Sequence, residues 1–256
     1  MERMNKIFEF MLWGIVLIII VALLSSCNSN PTKNISEPQD FVVPDWTTDY
    51  ISIVEEYRKF VDYIINEDFE SAIDNNIFST PDSSLSYNWS CMIGETNIWY
   101  YRDFPKAEGA FGYALEDLNG NGNNELILLL RDYTVLAIFS MTNENPKLID
   151  AFWPRHKCAI YDTGLLYTLS SSGADSWYYK IQQISQDGSN LLDLEEYGSK
   201  VDGEHQNYYK VIDGKTHDIS KAEFDEFQEK FPSLLDTTAS EITKNSGIKF
   251  IPLFDE

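Results

Sequence analysis

A series of glycine turns constrains the fold of this chain more than any other feature of its sequence. Between residues 162 and 214, stretches of aliphatic and aromatic residues are separated by five short turn signals. Glycine supplies the positive φ that a tight hairpin turn needs, and in most of the signals an aspartate comes shortly before it. The turns follow one another too closely for crossover helices, so the pattern predicts an antiparallel meander. The signals are Asp162-Thr163-Gly164, Ser172-Gly173, Asp187-Gly188, Asp202-Gly203 and Asp213-Gly214.

The stretches between the turns have the composition of strands. Phe111, Tyr113 and Leu115 alternate with small or polar residues, as in a half-buried strand. Residues 125–130 form a continuous run of aliphatic residues after Glu125, which is typical of a strand that is covered on both faces. Further strands are predicted over Val135–Met141, Leu148–Trp153, Leu165–Leu169, Trp177–Ile184, Leu191–Tyr197 and Tyr208–Ile212.

Helices are predicted on both sides of the meander. Apolar residues at helical spacing predict one helix from about Asp45 to Asn66 and a shorter one over Glu67–Ile77. Ser220 and Glu223 have the spacing of a capping box, which predicts a last helix that ends before Pro232. The predicted fold class is therefore α+β, with N-terminal helices, a central antiparallel meander and a C-terminal helix, in a single domain over residues 45–256.

The N-terminus has the pattern of an export signal. Residues 10–24 contain no charged side chain and are followed by Ser25, Ser26 and Cys27. A short apolar run that ends in small residues predicts a signal segment over residues 1–26. Residues 27–44 are polar and contain three prolines, so we interpret them as an extended spacer.

The sequence Leu24-Ser25-Ser26-Cys27 resembles the lipobox of bacterial lipoproteins. The resemblance implies that the thiol of Cys27 receives a diacylglycerol, that the chain is cut before it, and that the domain lies on the extracellular face of the cell membrane. Two acyl chains are enough for stable anchoring. The alternative is an uncut transmembrane anchor, although the apolar run is at the lower limit of a bilayer span.

One loop contains the residue types of a cation site. The stretch Asp117-Leu118-Asn119-Gly120-Asn121-Gly122-Asn123-Asn124-Glu125 resembles the calcium loops of dockerins and of integrin-type FG-GAP repeats. The resemblance implies that calcium is held by the side chains of Asp117, Asn119, Asn121 and Glu125 and by the carbonyl of Asn123. Because the twelfth position is Leu128, the bidentate glutamate of an EF-hand is missing. The alternative is a metal-free loop of Asx-turns.

The same region, from Tyr113 to Leu128, is similar to a sequence motif found in uncharacterised exported lipoproteins of Gram-positive bacteria. This resemblance implies an exported lipoprotein but no activity. The formal charge of −22 excludes a nucleic-acid partner, because a polyanion is repelled by most of such a surface. Cys91 and Cys158 can form a disulfide in an exported protein, or remain two buried thiols.

The sequence contains no recognisable catalytic motif. His156, His205 and His217 are expected to be surface residues, and Ser170–Asp175 is expected to be a turn. In Trp177-Tyr178-Tyr179, strand alternation places at least every second ring in the core. We therefore expect a lipid-anchored protein that binds a protein or a glycan without catalysis, with a calcium loop of structural role. The alternative is an exported hydrolase that acts on envelope polysaccharide or peptide.

Overall fold

The structure is a computed structural model, and the residues it describes belong to one compact unit. These residues are 50–66, 104–143, 145–173, 176–203, 205–234 and 238–254. The predicted signal segment and spacer, Cys27, Cys91 and the helix predicted over Glu67–Ile77 lie outside them. Within the described ranges, no helix has both the length and the apolar character needed to cross a bilayer.

Three helices and eleven strands form the described part of the domain. The helices are α1 (Ile51–Ile65), α2 (Lys221–Lys230) and α3 (Thr238–Asn245), and a short 3-10 helix (Glu108–Ala110) precedes the first strand. The strands are β1 (Phe111–Glu116), β2 (Glu125–Leu130), β3 (Val135–Thr142), β4 (Asn145–Ala151), β5 (His156–Ile160), β6 (Leu166–Gly173), β7 (Ser176–Ile184), β8 (Leu191–Asp202), β9 (His205–Ile212), β10 (Lys215–Ile219) and β11 (Ile251–Pro252).

The α+β class and the antiparallel meander are confirmed, and the strands are divided between two sheets. The first sheet has the order β11-β1-β2-β3-β4, and the second runs consecutively from β5 to β10. Every strand pair is antiparallel. The chain leaves the first sheet at Ala151 and enters the second at His156, so one short turn connects the two sheets.

The apolar side chains of the first sheet are divided between two layers. Leu126, Leu128 and Leu130 of β2 pack towards α1, whereas Ile127 and Leu129 of the same strand pack towards the second sheet. All six residues of β2 are buried, as the continuous aliphatic run predicts. The second sheet packs its other face against Phe224 and Phe227 of α2 and against Phe231, which directly follows this helix.

The predicted capping box begins α2. The side chain of Ser220 accepts a hydrogen bond from the backbone N–H of Glu223. The expectation of one C-terminal helix was incomplete, because α3 follows α2. This helix covers the edge of β5, where Thr243 Oγ1 accepts a hydrogen bond of 3.0 Å from the backbone N–H of Ile160. An edge strand covered in this way cannot pair with another chain.

The C-terminal residues close the first sheet. β11 pairs with β1, and the backbone N–H of Leu253 donates to the carbonyl of Phe111 at 3.0 Å. Arg58 of α1 donates from Nε to the carbonyl of Leu253 at 2.9 Å. The segment at residues 251–254 therefore joins the first helix and the first strand of the described domain.

Candidate functional site

The loop from Asp117 to Glu125 connects β1 to β2 and is organised by its own side chains. Asp117 accepts two backbone N–H groups, from Asn121 at 3.0 Å and from Gly122 at 2.9 Å. The side-chain oxygen of Asn119 also accepts from Asn121 N, and that of Asn121 accepts from Asn123 N at 2.7 Å. These are the Asx-turns that the sequence allows as an alternative to calcium.

The loop is fixed to the second sheet by its asparagines. Asn119 Nδ2 donates to the carbonyl of Ser185, and Asn121 Nδ2 donates to the carbonyl of Gln186, both at 2.9 Å. Gln186 donates in return to the carbonyl of Asn119. Since Ser185 and Gln186 lie in the turn between β7 and β8, the loop joins the two sheets.

Glu125 lies inside the domain rather than on the loop surface. It is 1 % exposed, and its carboxylate accepts hydrogen bonds from Leu118 N at 2.8 Å and from Ser140 Oγ at 2.9 Å. Burial raises the pKa of this carboxyl group, whereas the two hydrogen bonds lower it. The structure therefore gives Glu125 a structural role in holding the loop to β3.

The remaining predicted calcium ligands lie together in the loop. Asp117 supplies the single exposed carboxylate, and the amide oxygens of Asn119 and Asn121 each retain a second lone pair besides the hydrogen bond they accept. Among the described residues, no three His, Cys, Asp or Glu side chains form a group that could hold a metal ion. A calcium ion in this loop would depend on neutral ligands, which favours weak binding.

Calcium is expected to stabilise the native protein by a small amount. With a dissociation constant of about 1 mM, about 10 mM calcium adds about 1.4 kcal/mol to the free energy of unfolding. This raises the melting temperature by about 3–6 °C. Differential scanning fluorimetry checks this, and Asp117→Ala is expected to abolish the rise while the exposed control Asp218→Ala keeps it. If calcium leaves the melting temperature of the wild type unchanged, the calcium hypothesis is contradicted.

A second cluster lies where the chain passes between the sheets. Asp150 is near the end of β4, and His156 is the first residue of β5. The four residues Trp153-Pro154-Arg155-His156 form a tight turn in which Trp153 and His156 exchange backbone hydrogen bonds of 2.8 and 2.9 Å. Proline suits the second position of such a turn because its φ is fixed. The turn brings the carboxylate of Asp150 to the imidazole of His156.

The cluster is a chain of three hydrogen-bonded side chains. His156 Nε2 lies 2.9 Å from Asp150 Oδ2, and His156 Nδ1 lies 2.5 Å from Ser170 Oγ. Ser170 is the cross-strand neighbour of His156 in β6. The rings of Phe152 and Trp153 lie 5.1 and 4.8 Å from the imidazole ring, between ring centroids. The side chain of His156 is 14 % exposed, so the group is largely shielded from water.

This arrangement corrects two expectations from the sequence. The expectation for His156 was wrong, because it lies half-buried on a strand with two side-chain partners. Ser170 was also expected in a turn, but it lies within β6. His205 and His217 are exposed, as expected. His156 is six positions after Asp150, and Ser170 is fourteen positions after His156. Pro154, two positions before His156, was the sequence signal for the turn that brings Asp150 to His156.

The cluster lines a polar concavity of about 220 Å³. Besides the three clustered side chains, its walls include Arg155, Tyr178 and Lys180. Arg155 donates from Nη2 to Ser171 Oγ at 3.1 Å, so a guanidinium lies beside the strand position next to Ser170. A concavity with a nucleophile-type hydroxyl, an imidazole and a cation can hold and polarise a small carbonyl compound.

The concavity continues into a polar surface on β7, β8 and β9. Lys180 Nζ lies 2.6 Å from Asp193 Oδ2 and 3.4 Å from Glu196 Oε2. Gln182 Nε2 donates to Asp193 Oδ1 at 2.7 Å. These contacts fix the polar groups of neighbouring strands in one orientation. We call the surface formed by Tyr178, Lys180, Gln182, Asp193, Glu196 and Tyr209 the polar face.

Tyr209 lies across β8 because residue 198 is glycine. A Cβ atom at Gly198 would come within 2.1 Å of the Tyr209 ring, so no larger residue fits beneath it. Gly198 is also the cross-strand partner of Tyr178, which places both tyrosines on the same side of the sheet. Burial raises the pKa of the Tyr209 hydroxyl, and the nearby Glu196 and Tyr178 raise it further.

The structure describes Cys158, one of the two cysteines for which a disulfide is predicted. Cys158 is 3 % exposed, and burial, with a contribution from the charge of Asp150, raises the pKa of its thiol. Cys91 lies outside the described residues, so a disulfide between the two stays a prediction.

No protein-family model matches this chain, and neither a curated protein nor a solved structure is significantly similar to it. The geometry of the loop, the cluster and the polar face therefore provides the basis for a functional proposal.

Proposed function

We propose that this chain is a lipid-anchored protein of a bacterial cell surface whose folded domain binds a glycan on the polar face. The anchoring part rests on the lipobox resemblance at Leu24–Cys27 and on the polar, proline-containing spacer that follows it. A spacer of this composition lifts a domain away from the membrane. Calcium in the Asp117–Glu125 loop would have a structural role, because that loop joins the two sheets.

The polar face is the observation on which the glycan proposal depends. On the opposite side of the same sheet, Trp177 and Tyr179 pack against α2 and are part of the core. Tyr178 and Tyr209 instead lie on the side with Lys180 and Glu196, and both are half-buried. Sugars present apolar C–H faces that stack on aromatic rings, and hydroxyl groups that bind charged and amide side chains. The polar face offers both kinds of contact together.

The fixed orientation of the polar groups favours binding. Lys180, Gln182 and Asp193 are already connected by hydrogen bonds of 2.6 and 2.7 Å. A ligand that meets preorganised groups loses less conformational entropy than one that has to order them. The charge of −22 on the chain favours a neutral or amino-containing glycan over an anionic one.

Tyr178→Ala is expected to weaken glycan binding about 5- to 30-fold, since an aromatic contact contributes on the order of 1–2 kcal/mol. Binding is measured by affinity electrophoresis in gels that contain soluble polysaccharides and by co-sedimentation with insoluble cell-wall glycans. Tyr63→Ala is the matched control, because Tyr63 is a half-buried tyrosine on α1, which packs against the first sheet.

Two results would contradict the glycan proposal. One is a wild-type protein that binds none of the neutral or amino-containing polysaccharides. The other is a Tyr178→Ala variant that binds the glycan as tightly as the wild type, while the Tyr178→Ala and Tyr63→Ala variants melt at similar temperatures. Retention of a protein, but of no glycan, would favour a protein ligand on this surface.

A further inference from the structure

We propose that Ser170 is a nucleophile that removes a small acyl group from an ester carried by the bound glycan, with His156 as its general base. The choice of a glycan ester rests on the proposed function, whereas the nucleophile itself rests on the geometry of Asp150, His156 and Ser170. The exported hydrolase that the sequence allows as an alternative thereby gains a specific set of residues.

The proposed reaction uses the tautomer of His156 that carries its proton on Nε2. In this tautomer Nε2 donates to Asp150 Oδ2 across 2.9 Å. Nδ1 then holds a lone pair and accepts the hydroxyl proton of Ser170 across 2.5 Å. A hydroxyl bonded to an imidazole that is oriented by a carboxylate is the arrangement that activates serine nucleophiles.

Each member of the cluster is held by its surroundings. Asp150 Oδ1 accepts the backbone N–H of Ala151 at 2.8 Å, which fixes the carboxylate on its strand. The backbone N–H of Ser171 donates to the carbonyl of Arg155, so the adjacent pair His156 and Ser170 is a non-hydrogen-bonded one, in which side chains approach most closely. Groups held in this way need little reorganisation when they react.

The proposed reaction is hydrolysis of the ester in two steps. As Ser170 Oγ forms a bond to the carbonyl carbon, its proton moves to His156 Nδ1, and the C–O bond to the sugar breaks when the leaving alkoxide takes that proton. Water then attacks the acyl-serine and gives a proton to the same nitrogen, which passes that proton to Ser170 Oγ as the bond to the acyl carbon breaks and the carboxylic acid is released. Asp150 is a positioning residue that stabilises the imidazolium in both steps.

The walls of the concavity indicate the class of substrate. The backbone N–H of Ser171 is already bonded to Arg155, so the oxyanion would be stabilised by a side chain, and the guanidinium of Arg155 lies beside this position. A volume of about 220 Å³ suits a short acyl group such as acetyl. Tyr178 and Lys180 belong both to the concavity and to the polar face, so a sugar on that face would present its ester to Ser170.

The full-length protein in detergent is mixed with p-nitrophenyl acetate, whose acyl group is small enough for the concavity. We expect a burst of p-nitrophenolate equal to the protein concentration and an acetyl group on Ser170, located by peptide mass spectrometry. Ser170→Ala is expected to lose the burst, and His156→Gln to slow acylation at least about 100-fold. Asp150→Asn is expected to lower the maximal acylation rate and to leave the half-saturating ester concentration unchanged.

Ser199→Ala is the matched control, because Ser199 is also a buried serine of the second sheet and is expected to retain the full burst. A wild type without acetyl on Ser170, or a burst that survives in Ser170→Ala, would overturn the proposal. Glycan binding without acylation leaves the proposed function intact and rejects the nucleophile. Acylation of Ser170 without glycan binding rejects the glycan and retains the nucleophile.

Discussion

Replacing Gly164 by alanine is expected to lower the free energy of unfolding by about 3 kcal/mol. Gly164 has a φ of +75°, where an alanine costs about 1 kcal/mol. In addition, a Cβ atom there would lie 2.0 Å from the carbonyl oxygen of Leu118, which is backbone and cannot rotate away. Moving the backbone segments at Gly164 and Leu118 apart adds about 2 kcal/mol to this loss of stability. Because Leu118 belongs to the Asp117–Glu125 loop, the substitution separates the two sheets where they meet.

Gly214→Ala separates the two causes of this loss. Gly214 has a φ of +71°, close to that of Gly164, but a Cβ atom there meets nothing within 4 Å. It is therefore expected to cost about 1 kcal/mol. Urea denaturation followed by circular dichroism measures both values. Equal losses in the two variants would show that the close approach of Gly164 to Leu118 does not contribute to stability.

Cys27→Ala is expected to remove all fatty-acid label from the protein. The variant is also expected to leave the membrane fraction, unless its uncut signal segment holds it in the bilayer. In the lipobox resemblance, the thiol of Cys27 is the only acceptor of the diacylglycerol. Cells grown with an alkyne fatty acid are fractionated, and the protein is then labelled by click chemistry. Cys158→Ala is the matched control and is expected to retain full label, because the thiol of Cys158 is buried in the folded domain.

The same experiment tests the alternative of a transmembrane anchor. An uncut anchor over residues 10–24 predicts no fatty-acid label in the wild type and a mass that includes residues 1–26. A lipoprotein predicts a mature chain that begins at Cys27 and is heavier by the lipid. Equal labelling of the wild type and Cys27→Ala would reject lipidation at this cysteine.

The sequence predicts a strand well where burial is its main cause. β2 is predicted over Glu125–Leu130 and has those bounds, because the five consecutive aliphatic residues after Glu125 suit a strand covered on both sides. β10 was missed because four of its five residues are exposed, and only Ile219 is half-buried. This strand forms because Asp213 and Gly214 turn the chain back along β9. β10 is therefore a strand because it pairs with β9, and the composition of β10 alone does not show this pairing.

The sequence predicts the fold better than it predicts the candidate site. The calcium loop has its residues within nine positions, so a motif reveals it. The cluster of Asp150, His156 and Ser170 depends instead on a turn between two sheets and on the register of β5 against β6. A shift of one residue in that register would place Ser170 on the opposite face. No local pattern specifies such a register, because it follows from the packing of the whole sheet.

If the chain is exported as we propose, the pairing of β11 with β1 determines when the domain completes its fold. A polypeptide that crosses a membrane unfolded emerges gradually, and β1 appears outside long before residues 251–254 do. Until then the outer edge of β1 and the carbonyl of Phe111 have no native partner among the described residues. Such an intermediate is open to unwanted strand pairing with other molecules. Folding of the domain would therefore be completed late, by residues 251–254, and a truncation before Ile251 would leave the outer edge of β1 unpaired by β11.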